Sequence, residues 1–243
     1  MAKERVDVLL VARGLAPSRE RARALVLAGK VYSGEQRVEK AGDLLASDRP
    51  LEVRGDDLPF VSRGGVKLAG ALDALGVDPT GRVVADFGAS TGGFTDCVLQ
   101  RGAVRVYAID VGRGQLHEKL RQDPRVVSME RTNARNLTGE SLPEPIDLVV
   151  IDASFIGLGK LLPAAIAVLA PAGEILAMVK PQFEVGPKGL HKGVVRDPAL
   201  RAAAIEGVAR EAEGLGLAVR GRCDSVLAGP DGNVEAFLHL ARR

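Results

Sequence analysis

Tryptophan is absent, and two tyrosines and six phenylalanines make up only 3% of the chain. In the first 58 residues Tyr32 is the one aromatic ring, so base stacking on that region is not expected. Cys97 and Cys223 lie 126 positions apart (223 − 97), and His117, His191 and His239 are scattered. Neither a disulfide framework nor a zinc knuckle fits that spacing, and no metal site is visible. The longest apolar run, Leu161 to Ala170, is about half of the roughly 20 residues that a membrane span needs. Met1-Ala2-Lys3-Glu4-Arg5 lacks the apolar core of a signal peptide, so a soluble, cytoplasmic protein is expected. Charge of one sign is also lacking: 33 Lys and Arg face 31 Asp and Glu, and a net charge of +2 names no partner. What is present is 46% hydrophobic and 26% charged residues, an ordinary globular composition that excludes disorder and a coiled coil.

The charge is unevenly spread. Residues 1 to 40 hold nine Lys or Arg (3, 5, 13, 19, 21, 23, 30, 37, 40) against five acids (4, 7, 20, 35, 39), a local excess of 9 − 5 = +4. A basic partner surface is expected there. Asp7 to Arg13 reads as one short helix and Arg19 to Ala28 as another, with Ser18 as N-cap and Gly29 as the stop. Ala22, Leu25 and Val26 form an apolar stripe on the second helix, while Arg19 and Arg23 share another face. Val31, Tyr32, Val38 and Leu51 to Val53 suggest small strands. The polar stretch Arg54-Gly55-Asp56-Asp57-Leu58-Pro59 predicts a domain boundary, giving a small α+β domain over 1–58 and a larger one over 59–243.

From residue 82 the apolar runs Val83 to Phe87, Val104 to Asp110, Val126 to Glu130, Leu148 to Asp152 and Ile175 to Val179 alternate with helix-like segments. That pattern predicts an α/β, Rossmann-like fold with a mostly parallel sheet and crossover helices. The loop-rich stretch Pro181 to Pro198 is of a length more often functional than structural. After the first run, Asp86-Phe87-Gly88-Ala89-Ser90-Thr91-Gly92-Gly93-Phe94 occupies the strand-to-helix turn that lines a nucleotide cleft in such sheets. Its glycines would let the backbone approach a ligand, yet the spacing is neither the dinucleotide fingerprint nor a triphosphate loop. Asp110 ends the second run, where a carboxylate can accept both hydroxyls of an adenosine ribose. A cationic methyl donor suits Asp86 and Asp110 better than a pyrophosphate does.

Four charged residues stand where a buried sheet does not ordinarily tolerate charge. Lys67 follows the turn Ser62-Arg63-Gly64-Gly65, Asp152 and Lys180 each end an apolar strand, and Glu235 precedes a last strand. Strand carboxyl ends form the ligand crevice of an open α/β sheet, so Asp152 and Lys180 point toward Gly88. Two lysines and two acids meeting there make a proton-handling site; each alone reads equally well as a solvated strand end or an ion pair.

The motifs V-S-R-G-G-x-K-L (61–68), D-F-G-A-S-T-G-G-F-T-D (86–96), T-N-A-R (132–135), V-K-P-Q-F-E (179–184) and G-N-V-E (232–235) run through nearly the whole chain. In them the second domain resembles the FtsJ-like ribose 2′-O-methyltransferases, and the chain as a whole resembles the TlyA family. The resemblance implies an S-four-like RNA-binding domain followed by a domain that binds S-adenosyl-L-methionine (AdoMet). It implies a catalytic tetrad at Lys67, Asp152, Lys180 and Glu235, and AdoMet contacts from the turn Gly88, Ala89, Ser90, Thr91, Gly92, Gly93 and Phe94, from Asp110 on the ribose and from Asn133 near adenine. The implied substrate is ribosomal RNA within ribosomal subunits, methylated on a cytidine ribose. The sequence ends at Arg243 without the C-terminal helix of longer members, so the small subunit, the large subunit or both stand open as targets.

Lys180 is the expected base, or the group that positions the hydroxyl; Asp152 holds its orientation or serves the sulfonium, and Glu235 balances Lys67. Arg19, Arg21, Arg23 and Lys30 are the expected phosphate contacts; Arg63, Lys188, His191, Lys192 and Arg196 are weaker ones for the target strand. Phe94, Phe155 and Phe183 lie near motifs and could touch a flipped nucleotide, with core packing expected for at least two. His117 and His239 have no evident partner. Three competing readings are a ribosome-assembly factor without catalysis, the haemolysin activity attached to the family's name, and an NAD-dependent enzyme. The first leaves the four charged positions unexplained, the second lacks a membrane-inserting segment, and the third lacks the fingerprint spacing.

Overall fold

The computed structural model describes residues 3–16, 18–27, 29–34, 36–53, 59–186, 189–229 and 232–243. They form two compact units, Met1–Asp57 and Leu58–Arg243. Most of the polar stretch expected to mark the domain boundary, and Lys188, lie outside the described residues.

The first unit is a small α+β fold. β1 (Lys3–Arg5) leads directly into α1 (Val6–Ala12), and α2 (Arg19–Leu27) follows. β2 (Val31–Ser33), β3 (Gln36–Arg37), β4 (Leu44–Ala46) and β5 (Glu52–Val53) complete it. β1 pairs antiparallel with β4, and β2 lies between β3 and β5. Val6, Leu9 and Leu10 of α1 bury against Ala22, Leu25 and Val26 of α2 and Val31 of β2. The start and stop of α2 follow the residue chemistry. The Ser18 hydroxyl accepts the Arg21 N–H at 3.2 Å, and Gly29 turns left-handed at φ +68° so that the Lys30 N–H reaches the Leu25 carbonyl. β1 and β4 were not foreseen: strands of three residues, one wholly charged and one wholly apolar, are too short to carry a readable alternation.

The second unit opens with α3 (Arg63–Leu75), so the residues expected to form a turn before Lys67 are instead its first turn, behind the extended Ser62. Then come β6 (Val83–Phe87), α4 (Gly93–Gln100), β7 (Arg105–Ile109), α5 (Glu118–Arg121) and β8 (Val126–Met129). β9 (Ile146–Ile151), α6 (Leu162–Val168), β10 (Leu169–Val179), α7 (Pro181–Glu184), α8 (Pro198–Gly214), β11 (Leu217–Asp224) and β12 (Ala236–Arg242) complete the chain. Among the described residues the strands make one seven-stranded sheet in the order β11-β12-β10-β9-β6-β7-β8. β8, β7, β6, β9 and β10 are parallel; β12 runs antiparallel to β10 and to the edge strand β11, which therefore points the same way as the other five.

Strand side chains alternate between two cores. Ala85, Phe87, Val149, Ile151, Ile175 and Ala177 pack under α6 and α8, and Val84, Val106, Leu148, Val150, Leu176 and Met178 under α3 and α4. Burial on both faces explains why these strands read as near-continuous apolar runs. β11 escaped that reading because it is an edge strand, in which Arg220 and Arg222 face solvent between partly buried neighbours. The chain leaves β6 toward β7 on one side while β9 lies on the other, so the loops after β6 and β9 diverge and open a cleft at the carboxyl ends.

Candidate functional site

Gly88, Asp110, Asp152 and Lys180 each directly follow the last residue of a parallel strand, and two cavities lie at that end of the sheet. One, of about 470 Å³, combines apolar walls from Ile109, Ile156 and Leu161 with polar groups from Asp110, Gln115, Thr132 and Asn133. The other, of about 350 Å³, is lined by charged Arg63, Lys67, Asp152, Lys180 and Glu235 and by the turn residues Gly88 to Thr91. Gly88, Ser90, Asp152 and Ser154 line both, so the two adjoin.

The glycine-rich turn owes its shape to protein neighbours. At Gly88, φ +89°, an added Cβ would sit 2.7 Å from the Asp152 carbonyl oxygen, and at Gly92, φ +94°, it would meet Leu120 at 2.2 Å. At Gly93 it would strike the Ser62 hydroxyl at 2.1 Å. These glycines let β9, α5 and the start of α3 close on the turn. Asp96, buried at the motif's end, completes the closure: it accepts the Val61 N–H at 2.8 Å and holds Lys119 at 2.9 Å.

Asp86 stands behind the turn, not at its mouth. Its side chain is fully buried and lines neither cavity, and Oδ2 accepts the Thr95 N–H at 2.9 Å and hydroxyl at 2.7 Å. Burial pushes its carboxyl up to about 7; the Thr95 bonds oppose the shift, and the like charges of Asp152 and Asp110 add to it. Asp110 faces the larger cavity but already accepts the Ser90 N–H at Oδ2, 2.9 Å, and the Gly112 N–H at Oδ1, 2.7 Å. Each oxygen keeps a further lone pair for a hydroxyl donor. Asn133 lines the same cavity while its Oδ1 accepts the Arg135 N–H.

The four charged residues meet as two ion pairs in the smaller cavity. Lys67 bonds to Glu235, both side chains almost wholly buried. The Lys180 ammonium lies 2.6 Å from Asp152 Oδ1 and donates a hydrogen bond to the Ser154 hydroxyl at 2.9 Å. Ser154 was not singled out in the sequence; a hydroxyl two places past a strand-end acid was the available signal. The loop after β9 is tied down by Glu184, which accepts the Leu158 N–H at 2.9 Å and whose carboxyl is pushed up by burial. Asn233 of the G-N-V-E motif accepts the Val195 N–H and donates to the Gly193 carbonyl, so it anchors the loop that carries Lys192 and Arg196. Both of those cations are exposed; Arg63 is also exposed and donates to the Ala228 carbonyl at 2.9 Å.

One expectation about the phenylalanines is corrected. Only Phe94 of the three is buried, stacked on Phe237 at 6.0 Å, whereas Phe155 is 91% exposed at φ +63° and contacts the half-buried Phe183 at 5.3 Å. An apolar ring in solvent, on a backbone conformation that few residues other than glycine adopt, marks the loop as held for something other than packing. The histidines also have partners after all: His117 Nδ1 accepts the Lys119 N–H and caps α5, and His239 pairs with Glu174 at 2.9 Å.

In the first unit the fully buried Asp7 carboxylate collects three guanidiniums: Arg5 at 2.9 Å, Arg19 at 3.0 Å and Arg23 at 3.2 Å. These bonds, the one to Arg5 foremost, hold the Asp7 carboxyl well below the ordinary range. Arg21 and Lys30 have interactions of their own.

A Rossmann-like sheet with a charged cleft at its carboxyl ends defines a methyltransferase of the FtsJ-like family, which matches residues 60–242; the S4 domain family matches residues 4–48. The chain belongs to the TlyA family. It is 49% identical to "16S/23S rRNA (cytidine-2'-O)-methyltransferase TlyA" of Mycobacterium tuberculosis, over 98% of this chain and 90% of that protein. Hemolysin A of Brachyspira hyodysenteriae is 35% identical over 97% and 99%. A solved Streptococcus thermophilus structure described as a hemolysin superposes with a TM-score of 0.78 at 41% identity, over 100% of this chain and 89% of that one.

Proposed function

We propose that the protein transfers a methyl group from AdoMet to a cytidine ribose 2′-hydroxyl of ribosomal RNA. The observation that carries the reading is the pair of lysine–carboxylate contacts in one cleft beside a cavity suited to a nucleoside. The larger cavity fits the adenosine moiety of AdoMet: apolar walls for a purine, the Asp110 carboxylate for the ribose hydroxyls and Asn133 for the purine edge. AdoMet, when bound, supplies a methyl group already activated on a sulfonium.

The chain's own residues must orient the ribose hydroxyl and take its proton. Lys180 is the base. With its amine neutral, Nζ takes the hydroxyl proton, and the resulting ammonium is held by Asp152 and Ser154. The Lys67–Glu235 pair, linking α3 to the segment before β12, gives the cleft a fixed wall. Residues 59–243 perform the transfer and residues 1–58 hold the RNA, with Arg19, Arg21, Arg23 and Lys30 on backbone phosphates. Arg63, Lys188, Lys192 and Arg196 meet the target strand, and Phe155 stacks on the target base. An rRNA substrate implies a cytoplasmic protein.

The test is transfer of tritium from labelled AdoMet to separated small and large ribosomal subunits, with Lys180→Ala as control and nuclease digestion to find the label. Label that resists alkaline cleavage and vanishes in the variant is the expected result, and it names the subunit. If AdoMet and rRNA both bind but no label transfers to either subunit, an assembly factor without catalysis is the better reading. The haemolysin in the relatives' names has no support from a spanning helix: none among the described residues is long and apolar enough to cross a membrane.

A further inference from the structure

Asp7 poses an electrostatic problem. An acid on a surface that meets RNA repels the phosphates, yet Asp7 sits among the arginines of the first unit. The arrangement around it is specific. Arg5 ends β1, Arg19 opens α2 and Arg23 lies one turn further along α2, so three side chains from two elements converge on one carboxylate at the start of α1. Arg5 reaches it in a fork, Nε to Oδ1 at 2.9 Å and Nη2 to Oδ2 at 3.2 Å; Arg19 Nη2 and Arg23 Nε both donate to Oδ2. The carboxylate is 0% exposed, while the arginine side chains are 45%, 52% and 59% exposed. Each guanidinium carries five N–H donors, and only four donors of the three groups point at Asp7. The cluster keeps a charge of 3 − 1 = +2, with its outer donors turned to solvent.

We propose that Asp7 is a positioning residue that gathers Arg5, Arg19 and Arg23 into one rigid clamp for an RNA backbone phosphate. This rests on the reading of residues 1–58 as the RNA-binding domain. Free arginines each lose rotamer freedom when they bind; arginines already held at one edge lose less and present their remaining donors together. The acid weakens the long-range attraction but strengthens the contact, which matters most where surrounding salt screens the long-range term.

The two roles of Asp7 predict opposite signs, which makes the test sharp. Filter binding of the full chain to protein-free large-subunit rRNA is measured across a salt series for wild type, Asp7→Asn, Arg19→Lys, Arg23→Lys, Arg19→Ala and Arg23→Ala. Asp7→Asn adds one positive charge, so charge alone predicts tighter binding; the clamp predicts binding weaker by roughly three- to tenfold. The lysine variants keep the charge and lose the planar guanidinium that can bond Asp7 and a phosphate at once, and the clamp predicts a loss for each. They also keep the proposal testable where Asp7→Asn fails to fold. A purely structural Asp7 would lower the melting temperature of Asp7→Asn and leave the affinity of the lysine variants at the wild-type value, and that result overturns the proposal. Tighter binding by a folded Asp7→Asn overturns it too. If the alanine variants also bind like wild type, the RNA-binding reading of this unit falls with it; if they bind weakly while the lysine variants do not, only the clamp falls.

Discussion

Each unit holds cations against buried or partly buried acids, in different proportion. In the first, one carboxylate serves three half-exposed guanidiniums and leaves a surplus of charge and donors at the surface. In the second, Lys67 and Lys180 each have a carboxylate of their own inside a cleft, so that the charges of the two pairs cancel. A surplus on the surface draws in a polyanion whatever its sequence; a balanced pair in a cleft does little at a distance and acts on one atom placed against it. Arginine suits the first because its fork binds two acceptors at once, and lysine the second because its single nitrogen can give up a proton.

The comparison is tested most severely at Lys180. Lys180→Ala is expected to lower methyl transfer by at least the factor of about 10² to 10⁴ that general-base action contributes, with AdoMet affinity and melting temperature unchanged. A near-wild-type rate in single-turnover assays would remove Lys180 from the chemistry and make its pair with Asp152 as structural as the arginine cluster. Next comes the buried pair. Glu235→Leu leaves the Lys67 ammonium without its partner and should cost about 3 to 5 kcal/mol in chemical denaturation, with much of it regained in Lys67→Met/Glu235→Leu. Equal losses in the single and double variants would mean that the two residues do not act as a pair.

Phe155→Ala is a smaller change. The loop it stands on stays tied by Glu184, which accepts the Leu158 N–H, so loss of the ring gives up its contact with Phe183 and leaves that tie in place. A fall in kcat/KM for rRNA equivalent to about 1 to 3 kcal/mol, with AdoMet affinity intact, is expected if a base stacks there; a lower melting temperature with unchanged kcat/KM would make the ring structural. The smallest effect concerns Asp86, whose carboxyl lies near 7 in the folded protein against an ordinary value of 3.8. The folded state binds the proton more tightly, so the stability gained from it is complete below the ordinary value and is lost as pH rises through about 7. Asp86→Asn should therefore flatten the fall in melting temperature between mildly acidic and alkaline pH. Parallel profiles for the two proteins would show that this carboxyl does not titrate there.

Strands buried on both faces were readable as apolar runs, and β6 matches its run residue for residue. The edge strand β11 and the three-residue strands β1 and β4 were not, because solvent on one side, or brevity, removes the pattern. The charged residues of the cleft stood out because each interrupts or ends an apolar stretch. Ser154 gave no such sign: a hydroxyl after a strand acquires meaning only when a partner from another element, Lys180, arrives beside it, whereas Phe155 was readable as a ring near a motif but not as an exposed one.

By itself the sequence determined the class of fold, the strand ends where the cleft would open, and the residue types within it, since burial and backbone preference act on near neighbours along the chain. Tertiary structure alone decided the geometry in which the expected acids hold their cations, that protein neighbours press on the motif glycines, and that Asp7 lies among the arginines. Those are contacts between residues up to 168 positions apart, as with Lys67 and Glu235, and distances of that kind are set by packing in three dimensions and are written nowhere in local order.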